Sequence, residues 1–337
     1  MFDAPALPAP RGPLSRGVIT AMRGGDAALP QQALEHASVE DDDLHLALYL
    51  CYELHYRGWA GIDAAAEWDP ALLGLRGDLE RRFLHALHEL SPRSTSVSPA
   101  SVPAELRRVI AQADGPSLSA WAEKHATLSH LQELAIHRSP YQLKEADLHT
   151  WAIPRLPSGR AKSALLTLQF DEYGNGEAGA THAELFASTM RSLGLEDEYG
   201  RYLDLVPGVT LATVNLLSLF GLHRALVGAC LGHLAVFEMT SVEPMTRYSR
   251  AHRRVTGADD GAEFYDVHVV ADKQHSVIAI DELLPAVVDG DPRLAADVLF
   301  GARALLELEA RFAAHVIDRW TRGRSSLHIG EELAAAS

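Results

Sequence analysis

Residues 264–284 read FYDVHVVADKQHSVIAIDELL, and their apolar and polar residues recur with helical spacing. Within this stretch His268, Asp272 and His275 are spaced i, i+4 and i+7. At about 100° per residue of an α-helix, the three side chains fall on one stripe roughly 60° wide. The stretch therefore predicts an α-helix with one concentrated polar face.

The same helical spacing dominates the rest of the chain, and few runs alternate with the period of two that a β-strand requires. We find no repeat of 20 to 50 residues that would indicate a solenoid. The protein is therefore predicted to be all-α. Helical patterns occupy residues 117–137, 141–151, 163–173, 181–193, 210–238, 263–284 and 292–320.

The predicted domain organisation follows from changes in composition along the chain. The stretch SPRSTSVSPASVP at residues 91–103 is dominated by Ser and Pro and reads as an exposed linker. His55 and Glu53 lie in the region before it, whose helices we expect to cover the bundle or form a dimer contact. The predicted units are a loose arm at 1–20, a helical region at 21–90, a linker at 91–116, the main domain at 117–325 and a tail at 326–337.

The composition excludes several function classes. The chain has 337 residues, of which 45 are acidic and 30 are basic, for a formal net charge of -15. This acidic balance argues against a nucleic-acid partner. Cys51 and Cys230 cannot build a disulfide framework, and the start of the chain does not resemble a secretory signal, so we expect a cytoplasmic protein.

Residues 205–222 form an uncharged stretch of 18 residues, which is long enough to raise the question of a membrane span. Pro207, Gly208, Asn215 and Gly221 interrupt it. A second apolar stretch follows closely. We therefore expect a buried hairpin of core helices and no membrane association.

Three groups of residues are candidates for metal binding. Two His and one carboxylate suit iron, zinc or manganese, so the triplet of residues 268, 272 and 275 is either a metal site or a solvated polar stripe. Glu172 and His182 flank the Gly-Asn-Gly sequence at 174–176, which either breaks a helix so that both can share a metal or simply caps it. Glu238 ends a long apolar stretch and needs a cation, either a metal or a salt bridge to Arg224 or Arg247.

A further acidic ligand on an earlier helix cannot be chosen from spacing alone. The candidates include Glu145 in the sequence KEADLH, with Asp147 and His149 close behind it. Glu133 and His137 lie one predicted helix earlier. Each of these residues is also compatible with ordinary surface polarity.

Taken together, Glu172, His182, Glu238 and the His-x3-Asp-x2-His pattern at 268–275 resemble the haem-oxygenase-like di-iron oxidases, or iron-containing redox enzymes. The resemblance covers roughly residues 117–320. It implies an all-α, haem-oxygenase-like helical bundle with an N-terminal helical extension. It implies a metal site with Glu172 as a ligand or as a carboxylate that shifts on oxygen binding. For the carboxylate ligand on the earlier helix it implies Glu145, and Glu133 stays open as an alternative. The implied metal ligands are Glu145, Glu172, His182, Glu238, His268, Asp272 and His275.

The resemblance implies two iron ions that alternate between Fe²⁺ and Fe³⁺, with O2 as co-substrate. The expected reaction is oxidation of a small amine or amino-acid-like molecule, with N-oxygenation favoured over desaturation or carbon-carbon cleavage and residues 211–220 as an apolar lining. It leaves room for an external electron donor and a homodimer. A ferritin-like site would need Glu-x-x-His motifs, which the sequence lacks. The alternatives are a mononuclear iron oxygenase, which would use only the triplet on one helix, and a non-enzymatic binding protein.

Overall fold

The computed structural model describes residues 4–26, 28–93 and 97–328. Within these ranges the chain is helical and contains no β-strand. In chain order the α-helices, α1 to α16, are Pro13–Met22, Gln31–His36, Asp42–Glu53, Pro70–Leu90, Val102–Ala111, Leu118–His125, Leu128–Gln142, Asp147–Thr150, Arg160–Glu172, His182–Ser192, Gly208–Leu222, Val227–Thr240, Val242–Thr256, Glu263–Val277, Leu284–Gly290 and Leu294–Thr321.

Short elements connect several of these helices. A π-helix, Ile278–Leu283, joins α14 to α15 without a break in the helical path. The 3₁₀-helices are Ala64–Trp68, Pro99–Ser101, Ile153–Arg155, Gly174–Gly176, Leu203–Leu205 and Arg224–Leu226.

The centre of the bundle is the crossing of α12 and α16, which pack closely against each other. Glycine permits this approach at two positions. A Cβ atom on Gly232 would overlap the carbonyl oxygen of Val298, and one on Gly301 would overlap that of Ala229. Side chains larger than hydrogen would therefore push the two backbones apart. Because α12 also carries Glu238, the crossing positions one of the candidate ligands.

The helices α11 and α12 occupy the long apolar segment and are buried along almost their whole length. They meet at an angle of 109°. No single helix of the described residues is long and apolar enough to cross a membrane. Helices α11 and α12 reach the length and hydropathy of a membrane span only when the two halves of this bent pair are counted together.

The N-terminal helices share one hydrophobic core with the bundle. Helix α3 packs against α11. Residues 13–22, which fall largely in the predicted loose arm, instead form α1, and Leu14 and Val18 are buried against the core. Helix α1 is fixed to α3 because the carboxylate of Asp43 accepts hydrogen bonds from the backbone N–H groups of Leu14 and Ser15, at 2.7 and 2.8 Å.

The predicted linker also differs from expectation. Residues 94–96 lie outside the described residues, but α5 follows them and buries Val102, Leu106 and Val109. These three residues are spaced i, i+4 and i+7, so they form an apolar stripe on one face of a helix. The high Ser and Pro content of the stretch made this helical pattern hard to recognise in the sequence. Most of the predicted tail, residues 329–337, lies outside the described residues.

Candidate metal centre

The structure brings together all seven residues that the family resemblance implies as ligands. They form two groups, and within each group four candidate ligand atoms lie within 4.8 Å of one another. Glu172 belongs to both groups. The first group, group A, is Glu145, Glu172, His182 and His268. The second group, group B, is Glu172, Glu238, Asp272 and His275.

Helix α14 supplies three of these residues from one face, as the i, i+4, i+7 spacing predicts. His268, Asp272 and His275 are all at least 95% buried. The helix therefore turns its polar stripe towards the interior of the bundle, which contradicts the alternative of a solvated stripe. However, the stripe is divided between the two groups, because His268 belongs to group A and the other two residues belong to group B.

Glu172 and His182 meet because the chain turns sharply between them. Glu172 is the last residue of α9, and its Oε2 atom lies 2.6 Å from Nδ1 of His182 at the start of α10. The turn requires positive φ angles at Gly174 and Asn175, 66° and 56°. A Cβ atom on Gly174 would also collide with the backbone of Ala180. The interrupted sequence thus allows two residues ten positions apart to share one site.

Helix α10 begins at His182 because the residues around it form a capping box. The hydroxyl of Thr181 accepts a hydrogen bond from the Glu184 backbone N–H at 3.2 Å. The Glu184 carboxylate in turn accepts one from the Thr181 backbone N–H, also at 3.2 Å. These paired bonds are a strong helix-start signal, and they hold His182 in the first turn.

In group A, neighbouring groups orient the ligand atoms. His268 donates from Nδ1 to the carbonyl oxygen of Phe264 at 2.7 Å, which leaves Nε2 directed towards Glu145 at 3.6 Å. With its amide nitrogen turned to Glu145, Gln142 donates to both carboxylate oxygens at 2.7 and 2.9 Å. Such outer contacts fix the direction in which a histidine or carboxylate offers its lone pairs.

In group B, His275 is the central residue. Its Nδ1 atom lies 3.2 Å from Glu238, 3.4 Å from Asp272 and 3.7 Å from Glu172. Its other nitrogen, Nε2, lies 3.0 Å from the carboxylate of Asp171. Glu238 thus faces this histidine, not Arg224 or Arg247, its alternative salt-bridge partners. Arg247 contacts Glu243 and Glu123 instead.

The orientation of buried polar atoms fits a metal. Nδ1 of His182, Nδ1 of His275 and Oδ1 of Asp272 are buried and have no partner with hydrogen-bond geometry among the described residues. They lie at contact distance from other candidate ligand atoms instead. Three imidazoles and four carboxylates are donors that suit iron, and four buried carboxylates require compensating positive charge. The residues present therefore fit an iron site.

The electrostatics of the cluster point in the same direction. Burial and neighbouring negative charges raise the pKa of Glu238 to about 7, although the nearby imidazole of His275 opposes the change. Burial alone would lower the pKa of His275, but Asp272 and Glu238 outweigh it and raise the pKa to about 11. Burial also lowers the pKa of His268, but the negative charge of Glu145 outweighs burial and raises the pKa to about 10. These shifts show that the buried carboxylates favour nearby positive charge. Either bound protons or a metal cation can supply that charge.

The structure distinguishes the residues that spacing left open. Glu145 follows α7 and joins group A. Glu133 lies elsewhere and accepts hydrogen bonds from the side chain of Trp320 and from Ser326. His137 contacts Thr210 and Ser326. Asp147 accepts a hydrogen bond from Tyr173, and His149 contacts His233 at 3.3 Å.

The residues that orient the ligands could not be predicted from the sequence. Asp171 precedes Glu172 directly, and adjacent side chains on a helix point about 100° apart, so nothing predicts that both face α14. Gln142 lies three residues before Glu145, a weak signal for a shared helix face. Ser241, whose hydroxyl donates to Asp272, follows the end of α12 and gives no signal in the sequence.

A cavity of about 800 Å³ leads from the surface to the cluster. Glu145, Glu172, Glu238, His268 and Asp272 lie in its wall. Its apolar lining includes Leu234, Phe237, Phe264 and Phe312. The prediction that residues 211–220 provide that lining is wrong. They pack into the main hydrophobic core, because α11 is covered by α3 on one side and by α16 on another.

Comparison with known proteins supports the fold and the family. Over 131 residues the chain is 27% identical to nitrosourea synthase from Streptomyces achromogenes subsp. streptozoticus, a match that spans 39% of this chain and 28% of that protein. The crystal structure of a CADD-like protein of unknown function from Nostoc punctiforme PCC 73102 superposes with a TM-score of 0.51 and 16% identity, covering 64% of this chain and 95% of the other. The predicted all-α, haem-oxygenase-like bundle is confirmed.

The family model for iron-containing redox enzymes matches residues 132–310, which is more than half of the chain. This range includes both groups of candidate ligands and most of the cavity wall. It confirms the resemblance inferred from the order of Glu172, His182, Glu238 and the triplet on α14. The chain therefore belongs to the family of iron-containing redox enzymes.

Proposed function

We propose that the protein is a non-haem di-iron oxygenase that uses O2 to oxidise a small amine or amino-acid-like substrate, with N-oxygenation as the favoured outcome. The observation that carries the proposal is that groups A and B are adjacent and share Glu172. A carboxylate has two oxygens and can therefore serve two metals at once. The similarity to nitrosourea synthase supports oxidation at nitrogen over desaturation or carbon-carbon cleavage.

Iron bound at the two groups would supply the electrons and the O2 chemistry of the reaction. The chain's own residues would do the rest. His182 and His268 would hold one metal with Glu145, while His275 would hold the other with Glu238 and Asp272. Glu172 belongs to both groups, so its carboxylate would be available to hold either metal. Leu234, Phe237 and Phe264 would keep water from the reacting atoms.

The mononuclear alternative is less well supported. It requires His268, Asp272 and His275 to bind the same ion. In the structure His268 faces Glu145 and lies with its ring 4.3 Å from that of His182, whereas His275 faces Glu238 and Asp272. The ligand atoms of the triplet are therefore divided between two groups of four.

The test is the number of iron ions bound per chain after anaerobic reconstitution with ferrous iron. We expect about two in the wild type, in keeping with a two-metal site, and fewer in Asp272→Ala and His182→Ala. Asp259→Ala is the matched control, because its side chain is 88% exposed and pairs only with Arg253 among the described residues. Equal iron content in all four proteins would exclude the proposed site. A loss in Asp272→Ala with full retention in His182→Ala would select the mononuclear alternative.

A further inference from the structure

Helices α9 and α14 carry four of the seven large apolar side chains that are exposed in the described part of the chain. In α9 these are Leu166 and Phe170, which are 45% and 57% exposed. In α14 they are Val270 and Val277, which are 72% and 50% exposed. The spacing within each pair, i, i+4 and i, i+7, places both of its members on one side of their helix. Exposed apolar surface of this kind marks a site of interaction, and we call these four residues the apolar face.

An open depression lies between the two helices, so the two pairs belong to one surface. Leu166 and Phe170 line it from α9, and Gln274 lines it from α14. Gln274 is four residues after Val270 and three before Val277, which places both valines beside the depression. The apolar face is therefore continuous across α9 and α14.

The depression leads to the candidate metal centre by a route separate from the main cavity. His275 lines the depression and does not line the main cavity. Its Nε2 atom lies 3.0 Å from Asp171, whose side chain is 32% exposed, and its Nδ1 atom lies 3.2 Å from Glu238 in group B. One carboxylate contact and one imidazole ring thus separate the protein surface from the other candidate ligands of group B.

Basic residues border the apolar face in a chain that is acidic as a whole. The chain has four lysines, and two of them, Lys162 and Lys273, lie on α9 and α14. Lys162 is one turn before Leu166, and Lys273 lies between the two valines. Neither lysine forms a salt bridge among the described residues. The acidic residues within one turn of the apolar face along its two helices, apart from the candidate ligands, all have basic partners: Asp171 with His275, Asp266 with Arg253 and Asp281 with Arg107. The unpaired charges next to the apolar face are therefore positive, which favours an acidic partner.

We propose that the apolar face is the docking site of a small acidic protein that carries one electron on an iron–sulfur cluster and delivers it to the metal centre past Asp171 and His275. The inference rests on the proposed function, because the reaction with O2 needs an electron donor. Apolar contact with a charged rim matches electron-carrier complexes, which bury small interfaces. An iron–sulfur carrier suits this face better than a flavin carrier, since a flavin takes up protons with its electrons and the acid of the depression, Asp171, is already held by His275 and Asn175.

The electron balance follows from the proposed reaction. When O2 converts an amine into a hydroxylamine, one oxygen atom enters the N–H bond and the other leaves as water, which consumes two electrons and two protons besides the substrate. Two carrier molecules supply the electrons one at a time, since each cluster is oxidised by one electron and each electron reduces one Fe³⁺ of the site to Fe²⁺. No bond of Asp171 or His275 forms or breaks in this transfer.

The test measures binding and electron delivery separately, with a plant-type [2Fe–2S] ferredoxin as the probe. Calorimetry measures ferredoxin binding to the metal-free full chain. We expect binding to weaken about tenfold or more between about 50 mM and about 500 mM salt, since salt screens the complementary charges of the two surfaces. Stopped-flow absorption then follows the oxidation of reduced ferredoxin by the iron-loaded, oxidised protein.

Two double variants alter the docking site. Lys162→Glu/Lys273→Glu reverses its charge, and Leu166→Ser/Phe170→Ser removes its apolar contact on α9. Each should weaken ferredoxin binding and slow reduction by ferredoxin about tenfold or more. Both variants should keep the iron content of the wild type, since none of the four residues belongs to group A or B. Reduction by a small viologen radical should also be unchanged, because a small reductant needs no docking surface.

Lys124→Glu and Leu128→Ser are the matched controls. Lys124 is exposed on α6, and Leu128 is 47% exposed at the start of α7, close to the exposure of Leu166. Neither residue lies on α9 or α14. Both controls should bind ferredoxin as the wild type does.

Several results would overturn the proposal. These are the absence of measurable ferredoxin binding to the wild type, tighter binding of an acidic flavodoxin, and equal ferredoxin affinity in the wild type and both double variants. A wild-type dimer that Leu166→Ser/Phe170→Ser converts into a monomer in sedimentation would also overturn it, because a second copy of the chain would then cover the face. Failure of the di-iron proposal is recognised separately, because it appears as a lack of bound iron, whereas the calorimetry uses metal-free protein.

Discussion

His275 contacts the cluster through one ring nitrogen and Asp171 through the other: Nε2 of the histidine lies 3.0 Å from Oδ2 of the aspartate. A carboxylate on the outer nitrogen of a histidine holds the ring in one orientation and one tautomer and makes the inner nitrogen a stronger ligand. Asp171 is therefore a positioning residue for His275, although it lies outside both groups.

We expect Asp171→Ala to weaken iron binding about 10- to 100-fold at the site that contains His275, the range typical of lost outer contacts to a metal ligand. Competition with a chelator of known affinity measures this effect without requiring turnover. Asp78→Ala, at a half-exposed position of α4 where the aspartate pairs with Arg81, serves as the control and should bind iron as the wild type does. Equal affinities in the two variants would show that Asp171 has no positioning role.

The second prediction concerns Glu133, which holds the C-terminal end of the described chain. Its Oε2 atom accepts hydrogen bonds from Trp320 Nε1 at 2.8 Å and from the backbone and hydroxyl of Ser326 at 2.8 and 2.6 Å. Burial raises the pKa of Glu133, but these hydrogen bonds outweigh it and place the pKa below the usual value of 4.5. Folding therefore favours the ionised carboxylate.

Because the folded pKa is the lower one, the contribution of Glu133 to stability is present above about pH 4.5 and is lost as the pH falls through the folded value. We expect Glu133→Gln to lower the free energy of unfolding by about 1 kcal/mol at pH 7, the worth of a typical hydrogen bond. The difference from the wild type should shrink towards zero in acid. Urea unfolding at several pH values measures it, with the exposed Glu198→Gln as control. A difference that does not depend on pH would contradict this account.

The helices and the ligand face of α14 could be predicted because both depend on local spacing. His268, Asp272 and His275 share a face in any α-helix, whatever surrounds it. The burial of Glu238 followed in the same way from its position in a long apolar stretch. The family resemblance added the partners across the bundle, which spacing alone does not provide.

The remaining features depend on contacts between distant parts of the chain. The pairing of Arg138 with Glu309 joins residues 171 positions apart. The position of helix α1 depends on a hydrogen bond to Asp43, a residue of α3. Spacing alone does not choose between Glu133 and Glu145; the first lies within α7 and contacts Trp320 and Ser326, whereas the second follows α7 and joins group A. Non-local contacts of this kind leave no periodic pattern for sequence reasoning to detect.

The third prediction concerns the crossing of α12 and α16. We expect Gly232→Ala to destabilise the protein by about 3 kcal/mol, because its Cβ atom would overlap the backbone carbonyl of Val298, which cannot move aside as a flexible side chain can. Gly74→Ala in α4 is the matched control, since nothing lies within 4 Å of its added Cβ. The control should be neutral or more stable by up to about 1 kcal/mol. Thermal and urea unfolding compare the two, and similar stabilities would refute the close crossing.

The last prediction concerns the buried ion pair that joins the N-terminal helices to the candidate metal centre. Lys144, next to Glu145 in the chain, donates from Nζ to the Glu53 carboxylate at 2.8 Å, and both side chains are at least 99% buried. Tyr199 donates to the same carboxylate oxygen at 2.6 Å. Through this contact α3 holds the turn that presents Glu145 to group A.

Replacement of Lys144 with Met would leave the Glu53 charge buried without its partner, a change that costs about 3–5 kcal/mol. The double variant Glu53→Gln/Lys144→Met removes both charges and should recover most of this loss, because the glutamine amide remains able to accept from Tyr199. Lys124→Met, at an exposed position of α6, is the control and should leave the free energy of unfolding nearly unchanged. Urea unfolding of the four proteins measures these differences. If the double variant were as unstable as Lys144→Met, lost packing around residue 144 would explain the effect better than an unpaired charge.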